Sequence, residues 1–87
     1  MIKRVVEISS AAKLSMSRSQ LKVEKEDSAE QCFPIEDLGM LILDHPAIRP
    51  SQRLLSECVK NNVSIVLCDE KHLPSSILLP MEGHTQS

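Results

Sequence analysis

No tryptophan and no tyrosine occur in this chain, and Phe33 is its single aromatic ring besides the three histidines. That absence removes the platform on which single-stranded nucleic acid is held, since base stacking needs exposed aromatic faces. It also makes any core aliphatic, which the repeated Leu, Ile and Val residues can supply. Glycine is almost as scarce: Gly39 and Gly83 stand alone, so no glycine-rich loop can cradle a phosphate. Cys32, Cys58 and Cys68 are odd in number and widely spaced, with no Cys-x-x-Cys among them. That spacing argues against a zinc ribbon, and a disulfide framework cannot use all three. No apolar run approaches the roughly 20 residues that cross a bilayer. The opening "MIKRVVEISS" lacks the long apolar stretch and cleavage site of a signal peptide, so a reducing cytoplasm with no membrane partner is the expectation.

What is present suffices for one small domain. A chain of 87 residues hides roughly 60–65% of its unfolded surface, which leaves a modest core and favours added stability from a partner. The net charge of −2 speaks against wholesale binding of nucleic acid, but the charge is unevenly spread. Residues 1–25 hold six basic and two acidic groups, whereas residues 26–48 hold six acidic groups and no Lys or Arg. The basic segment offers Lys3, Arg4, Lys13, Arg18, Lys22 and Lys25 as candidate contacts to a phosphate backbone. An ordinary solvated face accounts for the same residues.

Patterning sets the expected elements. Ile2–Ile8 reads as a strand with Ile2, Arg4, Val6 and Ile8 inward. In "KLSMSRSQLKVEKE" a turn at Ser17–Gln20 would pair Met16 with Leu21, Leu14 with Val23 and Lys13 with Glu24. That register places all four apolar residues on one face. Pro34 marks "CFPIEDLG" as a short edge strand or a bend. "MLILD" reads as a strand covered on both faces. Pro50 suits the first turn of a helix whose apolar face is Leu54, Leu55, Cys58 and Val59, ending at Asn61-Asn62. "VSIVLCD" is then a second buried strand, parallel to the first through a right-handed crossover, and "SSILLP" adds a last one. The fold class is α+β and β-rich: antiparallel hairpins followed by one strand-helix-strand unit, a single domain over 1–80.

"VLCDEKHLP" brings the most chemistry together, with Cys68, Asp69, Glu70 and His72 inside five positions. A cysteine nucleophile would need a base in reach and an oxyanion site, and no oxyanion loop is identifiable. A metal site could add Asp44 and His45, since Asp44 and Asp69 both end strands that are candidate neighbours. Neither His-x-x-His nor Glu-x-x-His occurs to support it. Turn duty for Asp69 and a place on the rim for His72 explain the same residues more simply.

The ordered series "VEISSAAKLSMSRSQLKVEKE", "LGMLILDHPAI", "LLSECVKNNVSIVLCDEKHLPSSILLP" resembles the amino-terminal β-rich domain of the CRISPR-associated integrase of spacer acquisition, nearest its type II branch. The likeness covers essentially the whole chain and identifies "MEGHTQS", with residues 81–87, as the start of a linker. It implies a homodimer, contact with double-stranded DNA, and a second CRISPR adaptation protein as a further partner. It implies Mg²⁺- or Mn²⁺-dependent cutting and joining of DNA by the intact family, through a helical carboxyl-terminal domain whose Glu, His and acidic ligands have no counterpart here. No catalytic residue, metal ligand or cofactor is therefore assigned to this chain, and it is expected to be inactive alone. The aromatic wedge of some relatives has no counterpart either, and "IRPSQ" puts Arg49-Pro50 where a Thr-type helix cap is expected. Two readings compete with it: an interaction module that pairs through its sheet edge without DNA, and a small metal enzyme on Asp44, His45, Asp69 and His72.

Overall fold

The computed structural model describes residues 3–79; Ile2, Pro80 and the expected linker at 81–87 lie outside the described residues. Along the chain run β1 (Arg4–Ile8), β2 (Ala12–Ser17), β3 (Gln20–Glu24), β4 (Gln31–Pro34), β5 (Leu38–Leu43), β6 (Ile48–Pro50), α1 (Gln52–Lys60), β7 (Ser64–Cys68) and β8 (Pro74–Leu78). A single 3-10 turn, Ile35–Asp37, joins β4 to β5. The strands form two mixed sheets of four, ordered β1-β5-β7-β8 and β4-β3-β2-β6. This is the expected α+β, β-rich class.

The hairpin forms in the register its alternation dictates. Met16 faces Leu21, Leu14 faces Val23 and Lys13 faces Glu24. Leu14, Leu21 and Val23 are buried while their neighbours look outward, because a period of two sends alternate side chains to opposite faces. Arg18 and Ser19 close the turn at φ 53° and 61°, the left-handed pair that a two-residue hairpin turn needs and that neither residue favours. β4 adds to β3 at the edge of its sheet, where Pro34 ends the strand.

β1 does not join this hairpin. It pairs parallel with β5, sending Val6 and Ile8 toward the core as the sequence suggests, while Arg4 is exposed. The register slips between Arg4 and Val5, leaving Gly39 as the extra residue on β5. A Cβ there would sit 2.7 Å from Lys3 Cβ, so glycine permits the close approach. β7 lies parallel on the other side of β5, with Leu41 opposite Ile65, and β8 closes the sheet antiparallel.

Two expectations are corrected. Pro50 does not start the helix: Ile48–Pro50 forms a three-residue parallel ladder with β2, pairing Arg49 with Lys13. Ser51 is the helix cap, its hydroxyl accepting from the Leu54 N–H at 3.1 Å, and its own N–H donates to Leu14 O at 3.0 Å. Proline suits a strand end as well as a first helical turn, because it lacks only the donor. The strand "MLILD" is covered on one face, since Leu41 and Leu43 are buried while Met40 and Ile42 stay half-exposed.

One aliphatic core joins the sheets. Ile8, Leu41, Leu43 and Ile65 from one meet Ala12, Leu14, Leu21 and Val23 from the other. α1 packs on β2 and β7, inserting Leu54 and Cys58 with Leu55 beside them. Its end is a Schellman arrangement: Val63 N–H donates to Cys58 O at 2.8 Å and Asn62 N–H to Val59 O at 3.1 Å, with Asn62 at φ 61°.

Candidate functional site

β5 and β7 are neighbours, so the residues that follow them open a common cleft of about 330 Å³. Asp44, His45, Pro46, Cys68, Asp69, Glu70 and His72 line it. The sequence's suspects therefore meet, but Asp44, His45, Asp69 and His72 are engaged otherwise. Asp69 Oδ1 accepts the N–H groups of Lys71 and Leu73 at 2.9 and 3.0 Å, and Asp69 O accepts from His72 N–H. That is turn duty. His45 Nδ1 accepts the Ala47 N–H at 3.0 Å. Asp44, only 8% exposed, lies 2.8 Å from His72 Nδ1 through Oδ1, while His72 sits on the rim at φ 63°. The pair ties the β7–β8 turn to the exit of β5.

A nucleophilic thiol would need its pKa lowered. Cys68 goes the other way: desolvation raises it, and the carboxylates of Asp44, Glu7 and Asp69 add to the rise. A divalent cation also fits poorly. Asp44 and Asp69 are held by His72 and by backbone donors, and among the described residues no group of three His, Cys, Asp or Glu could hold a metal ion. No chemical step is assigned to this cleft.

The basic residues divide by environment. Lys3 donates to Glu36 O, and the Arg4 guanidinium lies 5.5 Å from the centre of the Phe33 ring, so both tie the β1 edge to the β4 side. Lys22 pairs with Glu30 at 3.1 Å. The Glu30 hydrogen bond, then its charge and that of Glu24, raise the Lys22 pKa. Lys13 points outward from β2, Arg18 stands at the hairpin tip, and Lys25 follows β3. Arg49, missed because "RPSQ" reads as a helix start, is exposed on β6 next to Lys13. The outer side of the second sheet is thus polar along β2 and β3, with Lys13, Ser15 and Ser17 facing Glu24, Lys22 and Gln20. Exposed apolar side chains gather on the first sheet instead: Val5 on β1, Ile77 and Leu78 on β8, with Leu73 and Leu79 flanking β8.

These features describe a small two-sheet domain with a polar, partly basic face and a cleft built for structure. The chain belongs to the family of CRISPR associated protein Cas1, whose model matches residues 6–87. Its fold is that of the β-rich domain of Cas1. TM1797, a CAS1 protein from Thermotoga maritima, superposes with a TM-score of 0.77 at 14% identity, over 91% of this chain and 26% of that one. In a TtCas1–DNA complex the match has a TM-score of 0.76 at 11% identity, over 90% of this chain and 29% of the other. A chain of a partial Cas6-RT-Cas1–Cas2 complex gives 0.78 at 12% identity, over 88% of this chain and 23% of that one. At these identities the likeness establishes the fold, and this chain spans about a quarter of each solved chain. No curated protein sequence matches significantly. Among the described residues no helix is long and apolar enough to cross a membrane.

Proposed function

We propose that this chain is the non-catalytic, β-rich part of a CRISPR integrase, pairing with its own copy and holding duplex DNA by the backbone. The carrying observation is the division of its surface. Exposed apolar residues stand on the two opposite edges of one sheet, Val5 on β1 and Ile77 and Leu78 on β8, while the outer side of the other carries Lys13, Lys22 and Arg49 among polar neighbours and Glu24. Open strand edges with apolar side chains favour continuation of a sheet by a second chain. Lys13, Arg18 and Lys25 are exposed or half-exposed candidates for phosphate, within a molecule whose overall charge is negative. Membership of the Cas1 family supports the reading, as do solved relatives described as a Cas1–DNA complex and a Cas1–Cas2 complex.

On this reading duplex DNA and a Cas2-type protein are the partners, and the cytoplasm is the setting. Cutting and joining of DNA, with its Mg²⁺ or Mn²⁺, belong to other residues than those of this fold. Sedimentation of the chain alone and with a labelled duplex, in low salt, tests the proposal. The expected species has twice the 9.7 kDa chain mass and carries DNA with it without cleaving it. A monomer that leaves the duplex free, or cleavage lost in Asp69→Asn, would contradict it.

A further inference from the structure

We infer that Arg49 and Lys13 act together as a phosphate clasp, and that the duplex lies on the outer side of the second sheet at its β6 edge. This rests on the DNA-holding function proposed above and names the face and the residues. The ladder between β2 and β6 places Lys13 directly beside Arg49. Their backbones are neighbours at about 5 Å, the usual spacing of paired strands. Burial fixes the direction of both side chains: Ala12, Leu14 and Ile48 face the core, so the intervening Lys13 and Arg49 face solvent. Among the described residues neither forms an ion pair, whereas Lys22 and Lys60 do.

Two like charges side by side on a sheet oppose folding, and Glu24, in register with Lys13 on β3, leaves the edge residue Arg49 without a carboxylate in register. An anion seated between them removes that repulsion, and a guanidinium with an ammonium suits a phosphate oxygen pair. The acidic residues sharpen the choice of edge. Glu24 stands opposite Lys13 on the β3 side, and Glu26, Asp27 and Glu30 follow it in the β3–β4 connection, so the carboxylates lie on the other side of Lys13 from β6. Arg18, five residues beyond Lys13, stands about 17 Å away at roughly 3.3 Å per strand residue. A phosphate bound at the clasp cannot also reach Arg18, so a duplex touching both must run along β2.

Equilibrium binding of a duplex of about 20 base pairs to the full chain, titrated with salt, tests the clasp. Arg49→Gln and Lys13→Gln should each weaken binding roughly threefold to tenfold, equally for unrelated sequences. Each should also lower the salt slope by about 1. Lys71→Gln, on the other sheet, should leave both unchanged. Inorganic phosphate should raise the melting temperature of the unaltered chain more than that of Arg49→Gln. Circular dichroism checks that the variants fold, and Arg49→Lys, which keeps the charge, should retain most of the binding. Unchanged affinity and slope in Arg49→Gln, with the unaltered chain still binding, would overturn the clasp and leave the wider proposal standing. No binding by the unaltered chain at low salt would overturn both.

Discussion

At the scale of single residues, burial decides which chemistry is open. Cys58, on the inner face of α1, has no exposed surface, and desolvation, helped by the Glu57 charge, pushes its thiol from 9.0 up to about 11. A folded pKa above the unfolded one lends stability that is full below pH 9 and is lost as pH rises through about 11. The loss amounts to roughly 2–3 kcal/mol. Urea unfolding at pH 8 and pH 11 should show a larger fall for the native chain than for Cys58→Ala, which lacks the titrating group. Equal falls would contradict burial of a neutral thiol. The same logic keeps Cys68 a thiol at neutral pH, so "VLCDEKHLP" is a structural stretch despite its composition. Asp69 and His72 carry the turn and the tie to Asp44, a use that local turn chemistry made legible for Asp69. The Asp44–His72 contact spans 28 residues and became visible only with β5 and β7 side by side.

Elements were legible in proportion to how local their determinants are. The β2–β3 register followed from alternation alone, because a slip of one residue would turn Leu14, Met16, Leu21 and Val23 away from the core. α1 showed its apolar face and its Asn-Asn end, both local signals. β6 did not show itself. Three residues ending in proline carry no periodicity, and what makes them a strand is β2, more than 30 positions earlier. The parallel pairing of β1 with β5 is likewise nonlocal. Arg49 was overlooked as a partner of Lys13 for this reason, having been read as part of a helix start. Cap assignment gives a direct check. Ser51→Ala should remove the acceptor for the Leu54 N–H and cost about 1 kcal/mol, whereas Ser51→Asp should restore most of it. For a domain of this size the Ala variant should melt roughly 4–8 °C lower. An unchanged melting temperature would place the helix start elsewhere.

At the scale of the molecule, two sheets share one aliphatic core and turn unlike faces outward. The first sheet carries Val5, Ile77 and Leu78 at its edges; the second carries Lys13, Arg18 and Arg49 on its outer side. The single phenylalanine, Phe33, packs against the core, and no tyrosine or tryptophan offers a platform for bases, so any hold on DNA must go through phosphates and must weaken with salt. That makes the salt dependence of duplex binding by the native chain the most direct measurement. One phosphate in the clasp and one at Arg18 predict a slope of log affinity against log salt near −2 for each bound protomer. They also predict indifference to base sequence. Binding that persists unchanged as salt rises, or no binding even in low salt, would contradict the account.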